Sequence, residues 1–174
     1  MILNKTKFFT LLFLLVLAVP VFQGCKVSYS FTGASIDPSV KTFTVYYMPN
    51  RARLVNPNLS QQLTEALQDK LTRQTSLSLL EQDGDLEFEG QITGYDVKPM
   101  NIKQGDTAAQ NRLTVTVKMK FTNNKNHDDD WDKTFSAYYD FDATNLLSDV
   151  EDTIMEEILE QLTDDIFNAS IANW

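Results

Sequence analysis

From Leu113 to Phe121 the chain reads Leu-Thr-Val-Thr-Val-Lys-Met-Lys-Phe. Leu113, Val115, Val117, Met119 and Phe121 take every second position, and Thr114, Thr116, Lys118 and Lys120 fill the places between. Side chains along a strand alternate between two faces, so this stretch is a strand with one dry face and one wet face. Two other stretches repeat the pattern. In "DLEFEGQITGY" (85–95), Leu86, Phe88 and Ile92 point one way with Gly90 and Gly94 on their side, and Glu87, Glu89, Gln91 and Thr93 point the other. Glycine within a strand weakens it, and here it allows a bulge or a close helix approach. In "WDKTFSAYYDF" (131–141), Trp131, Phe135, Ala137, Tyr139 and Phe141 share a face. Thr42 to Met48 forms one more strand, with Phe43, Val45 and Tyr47 on one face and Pro49 as its stop.

Apolar strand faces need a cover, and two segments with helical spacing supply it. Leu59, Leu63, Ala66, Leu67 and Leu71 line one side of a helix over about 59–74, with Asn58 placed to cap it. Ile154, Ile158, Leu162 and Ile166, widened by Met155 and Leu159, line a second helix over about 149–171. Ser148 and Glu151 have the spacing of a capping box, and Asp149, Glu151 and Asp152 suit the positive end of the helix dipole. Asp83-Gly84 marks a turn, "NNKNHDDD" (123–130) a hairpin-type turn, and a polar loop follows Pro99. The expected fold is α+β: a four-stranded mixed sheet with two α-helices on one face, in the order β-α-β-β-β-α. Parallel pairing within the first β-α-β unit would make its crossover right-handed.

The N-terminal stretch is of another kind. Lys5 and Lys7 precede an apolar run, Phe8 to Phe22, broken only by Thr10 and Pro20, and Gln23-Gly24 lead to Cys25. The run falls short of the ~20 residues that span a bilayer and has the layout of an export signal. A small residue directly before the chain's one cysteine is the lipoprotein variant, although Phe22 is bulkier than the residue usual there. Lipidation of Cys25 would remove a thiol that has no partner for an internal disulfide. The alternative is an ordinary export signal followed by an incidental free cysteine. The expected organisation is a signal peptide at 1–24, a lipidated N-terminus and tether at 25–41, and one domain at 42–174. Without residues 1–24 the chain keeps 13 Lys and Arg against 24 Asp and Glu, a net −11. Such a chain repels nucleic acid and anionic membrane, so its membrane attachment would come from acyl chains, at about 0.8 kcal/mol per buried CH₂.

Catalytic chemistry finds little to work with. His127 is the one histidine, which excludes a multi-histidine zinc site, and "HDDD" (127–130) lacks the ligand spacing of a calcium loop. A Ser-His-Asp set would have to place His127 on an exposed turn. No phosphate-binding glycine loop occurs. The chain reads as a non-enzyme without cofactor or metal. Its cations collect near strand ends: Arg51 and Arg53 after the first strand, Lys98 and Lys103 after the second, and Arg112 opening the third. They are either charge balance in an acidic protein or local contacts for phosphate, which an arginine fork grips bidentately.

Five stretches, "YSFTGASI" (29–36), "PNRARLVNPNLSQQLTEAL" (49–67), "DLEFEGQITGYDV" (85–97), "NRLTV" (111–115) and "DIFNASIANW" (165–174), carry a family likeness. On them the chain resembles the lipopolysaccharide-assembly lipoproteins, the LptE-like family, in its divergent branch. The resemblance implies two helices on a four-stranded sheet, in agreement with the element order above. It also implies an outer-membrane lipoprotein, anchored at Cys25 and facing the periplasm. Such a protein pairs with a large β-barrel of the lipopolysaccharide export type, sits partly inside it as a plug, and helps deliver lipopolysaccharide to the outer leaflet. Better-known members bind lipopolysaccharide through basic residues; no motif here aligns them, so none is carried over. Arg51, Arg53, Lys98, Lys103 and Arg112 remain the candidate contacts to lipid or partner. The rival reading is a stand-alone lipoprotein module whose free sheet face holds a small ligand or peptide.

Overall fold

The computed structural model describes residues 36–54, 56–100 and 109–172. The chain runs through β1 (Thr42–Val45), α1 (Leu59–Gln74), β2 (Ser78–Leu79), β3 (Leu86–Pro99), β4 (Gln110–Asn123), β5 (Trp131–Asp142) and α2 (Leu147–Phe167). A 3₁₀ turn at His127–Asp129 joins β4 to β5, and a π turn at Asn168–Ala172 prolongs α2. The strands form one mixed sheet in the order β2-β1-β3-β4-β5. β1 lies parallel to both β2 and β3, while β3–β4 and β4–β5 are antiparallel. The four expected strands and two helices are all present. The small addition is β2, two residues that pair beside Thr42 and Phe43 as the chain returns from α1.

The alternation in β4 is fully used. Leu113, Val115, Val117 and Met119 have no exposed surface and Phe121 has 1%. Leu59, Leu63, Leu67 and Leu71 of α1 and Ile158, Leu162 and Ile166 of α2 are equally buried, and they share one core with the inner sheet face. Burying a side chain of this size stabilises the fold by about 1.5–3 kcal/mol. A chain of rings crosses the inner face: Phe88 to Phe121 at 5.1 Å, Phe121 to Trp131 at 5.5 Å, and Trp131 to Phe135 at 5.6 Å between centroids. Lys133 lies 5.0 Å over the Trp131 ring on edge strand β5, where a charged side chain discourages pairing with another strand. Met119 fills the space beside Gly90: a Cβ there would stand 2.3 Å from its sulfur, so a larger residue would have to displace the Met119 side chain.

Four local expectations are corrected. Tyr47 does not face inward: it is 65% exposed, and Met48 is buried in its place. The chain leaves the ladder after Val45 and rejoins β3 at Asn50, opposite Ile92, so the phase of β1 is lost. Gly94 lies opposite Thr116, on the wet face, because Thr93 is an extra residue between the Ile92–Val117 and Gly94–Thr116 pairs. This bulge reverses the phase of β3 and turns Tyr95 inward, to 6% exposure. Asn58 makes no side-chain cap; instead its N–H donates to Asn56 Oδ1 at 2.9 Å. Ser148 and Glu151 form no capping box, because α2 begins at Leu147 and Glu151 is engaged elsewhere.

At the end of the sheet where β1 starts, Asp85 ties three segments together. Its Oδ2 accepts the N–H groups of Lys41 at 2.7 Å and Thr42 at 3.1 Å, and its Oδ1 pairs with Lys125 Nζ at 2.8 Å. The adjoining Gly84 permits a close backbone approach: a Cβ there would meet the Phe43 carbonyl carbon at 2.7 Å. Lys125, followed by the two main-chain donors, holds the Asp85 carboxyl down at about 2.

Two predictions follow from packing and charge. Val117→Asp puts an unpaired carboxylate into the core and should destabilise the domain by several kcal/mol, on the order of 3 or more, in urea unfolding. Asp85→Ala should cost roughly 1–3 kcal/mol at pH 7. The folded pKa of Asp85 lies below its ordinary value of 3.8. Its contribution is therefore whole above about pH 4 and fades as pH falls toward 2. Unfolding curves of the two proteins should converge over that window.

Candidate partner-binding surface

With both helices on the inner face, the outer face of the sheet meets water. Glu89 and Gln91 of β3, Lys118 and Lys120 of β4, and Asp132 of β5 stand on it, where alternation puts them. Lys120 Nζ lies 3.6 Å from Glu89 and Lys118 Nζ 3.5 Å from Asp132, all four side chains about half exposed. Pairs this exposed add little stability. Together with Tyr46 and Tyr47 they border an open groove of about 540 Å³, with Gly90 and Met119 in its lining. Balanced charges and two tyrosines suit a polar ligand or an extended segment more than an acyl chain.

The cations marked in the sequence fall into two places. Lys98 and Arg112 are cross-strand partners near the far ends of β3 and β4. Arg112 is already engaged: its Nε and a terminal nitrogen donate to the two oxygens of Asp140 at 2.6 and 2.7 Å, and its guanidinium lies 3.7 Å over the Tyr138 ring. The hydrogen bonds to Asp140 raise the Arg112 pKa, and those from Arg112 lower that of Asp140. An anion at this place would meet Lys98, which is exposed and in no ion pair among the described residues. Arg51 and Arg53 lie beside Ile92, six residues back along β3, roughly 20 Å at the rise of a strand. The candidate cations are therefore two groups and not one cluster. Lys103 and Cys25 lie outside the described residues.

The loop that carries the two arginines is held from several sides. Arg51 N–H donates to the Ile92 carbonyl at 2.8 Å, and Ile92 N–H to that of Pro49 at 3.0 Å. Asn50 Oδ1 accepts from Ala52 N–H at 2.9 Å, which buries Ala52 and leaves Arg51, Arg53 and Leu54 exposed. Asn56 Nδ2 donates to Glu151 Oε1 at 2.7 Å, and the Tyr95 hydroxyl donates to the same oxygen. Burial, then the bond to Glu151 and its charge, raise the Tyr95 pKa and keep it a donor. Sequence reading missed this trio. Its one available signal was helical spacing, since Glu151 precedes Ile154 and Ile158 by three and seven residues and so continues the apolar stripe.

The acidic turn after β4 is occupied with itself. Asp129 Oδ2 accepts from the amides of Asn123 and Asn126, both at 2.9 Å, and Asp130 Oδ1 accepts Asn123 N–H at 2.7 Å. Among the described residues no group of three or more His, Cys, Asp or Glu side chains could hold a metal ion. No helix among them is long and apolar enough to cross a membrane.

Among solved structures, a hypothetical protein from Chlamydia trachomatis is similar at 8% identity with a TM-score of 0.53, over 77% of this chain and 99% of that one. At that identity the likeness is one of fold. A minor lipoprotein from Acinetobacter baumannii matches at 13% identity and TM-score 0.48, over 74% and 90% of the two chains. Rare lipoprotein B from Shewanella oneidensis matches at 11% identity and TM-score 0.44, over 72% and 92%. The comparison with curated proteins found no match. The family model LptE, described as lipopolysaccharide-assembly, matches residues 40–170, which takes in β1 to α2. The chain belongs to the LptE lipopolysaccharide-assembly family.

Proposed function

We propose that the protein is an outer-membrane lipoprotein, anchored through Cys25 and facing the periplasm. In this reading it docks into a lipopolysaccharide-exporting β-barrel as plug and assembly partner, and it assists delivery of lipopolysaccharide to the outer leaflet. Family membership across residues 40–170 is the observation that carries this reading. The physical features agree with it. A wide barrel has a polar lumen, and its plug should offer a polar surface over a firm core. Here the outer sheet face is ionic and balanced, and the core is continuous beneath it. The function is binding, not catalysis.

Arg51, Arg53 and Lys98 are the contacts proposed for the barrel or for lipid phosphate, with Lys103 as a further candidate. Arg112 would take part only by exchanging Asp140 for an outside anion, so its role is the lesser one. A negative chain makes contact with an anionic lipid local, confined to such cations. The groove beside Tyr46 and Tyr47 favours one second reading, a stand-alone module that holds a small polar ligand or a peptide.

Extraction of the tagged full-length protein in mild detergent should recover a barrel of outer-membrane size. Arg51→Glu with Arg53→Glu should lower that recovery at least about tenfold, the equivalent of about 1.4 kcal/mol, without changing Tm. Cys25→Ser should abolish acylation, read as the loss of the acyl mass from the mature protein by mass analysis. If no barrel is recovered, and depletion of the protein leaves surface lipopolysaccharide intact, the plug reading fails and the small-ligand module takes its place.

A further inference from the structure

A half-buried glutamate that accepts two hydrogen bonds from two other segments needs a reason. Glu151 sits in the first turns of α2, on the apolar stripe and not on the acidic solvent face. Its Oε1 takes the Tyr95 hydroxyl from β3 and Asn56 Nδ2 from the turn before α1. Tyr95 reaches it only because the Thr93 bulge turns that residue inward. Asn56 then serves as a hub: its Oδ1 accepts Asn58 N–H at 2.9 Å, and its carbonyl accepts Leu59 N–H at 3.4 Å and Asn50 Nδ2 at 3.5 Å. Asn50 in turn folds residues 50–52 through Ala52 N–H. Burying a carboxylate, a phenol and an amide costs more than an apolar contact of the same shape unless each is bonded. What the polar arrangement gives in return is direction, since hydrogen bonds fix geometry where apolar packing slides.

We propose that Glu151 is a positioning residue for the partner-binding loop. Through Asn56, and held by Tyr95, it fixes the backbone on both sides of Arg51 and Arg53, so that the two cations meet an anionic partner surface already ordered. This rests on the reading that Arg51 and Arg53 touch the barrel. A preordered loop loses less conformational freedom on docking, which strengthens the complex without adding a contact.

The test compares Glu151→Ala and Tyr95→Phe with Glu151→Gln, whose amide oxygen can still accept both donors. In the purified full-length protein without its partner, amide hydrogen exchange at Ala52 and Asn58 should speed up by about tenfold in the first two variants and stay near wild type in the third. Exchange at Val117 in the core should not change. Barrel recovery from detergent extracts should fall several-fold in the first two variants and return in Glu151→Gln. Faster exchange throughout the domain would overturn the inference, because Glu151 would then be a general structural residue. Unchanged exchange at Ala52 and Asn58 would overturn it as well. If the Arg51→Glu, Arg53→Glu protein still recovers the barrel in full, the loop reading itself fails, and the exchange data identify that case separately.

Discussion

The fold depends on the complete burial of one face of β4. Five side chains, Leu113, Val115, Val117, Met119 and Phe121, must leave water together, because a strand cannot turn them one at a time. That requirement fixes the register with β3 and β5 and places both helices on the same side. It also consigns Thr114, Thr116, Lys118 and Lys120 to the open face. The outer surface is therefore a consequence of the core. A sheet covered on one face presents a broad polar plate, and its ion pairs across neighbouring strands leave the plate close to neutral although the chain as a whole is acidic.

The negative charge sits mainly on the helix side. α2 carries Asp149, Glu151, Asp152, Glu156, Glu157, Glu160, Asp164 and Asp165 and no Lys or Arg. Lys70 of α1 answers one of them, Asp164. Within a Debye length of about 8 Å at physiological salt such a layer repels phosphate. The exposed cations stand outside α2, at the sheet end and in the loop after β1, although that loop is tied to the first turns of α2 through Asn56 and Glu151.

Periodic segments were legible because their pattern and their burial are the same fact. The helix at 59–74 and the strand over 113–121 needed only the spacing of leucines and valines. The errors cluster where the chain departs from regular backbone. β2 is two residues long and shows no period. Tyr47 lost its predicted side because the chain swings out between Val45 and Asn50. Gly94 and Tyr95 exchanged faces through one inserted residue, which alternation cannot detect. Glu151 was assigned to a local cap, and a tertiary partner claimed it instead. The arginines of the candidate surface were visible as residue types. Their support was not, since it is assembled from residues 50, 56, 95 and 151, far apart in sequence.

The central claim is that the loop after β1 faces a barrel protein. A photo-reactive side chain incorporated at Arg53 in living cells tests it most directly, with a second placed at Glu157 on the acidic helix for comparison. The account predicts an adduct from Arg53 with the mass of an outer-membrane barrel, stronger than any from Glu157. The absence of a protein adduct at Arg53, in cells whose lipopolysaccharide export is proceeding, would contradict it.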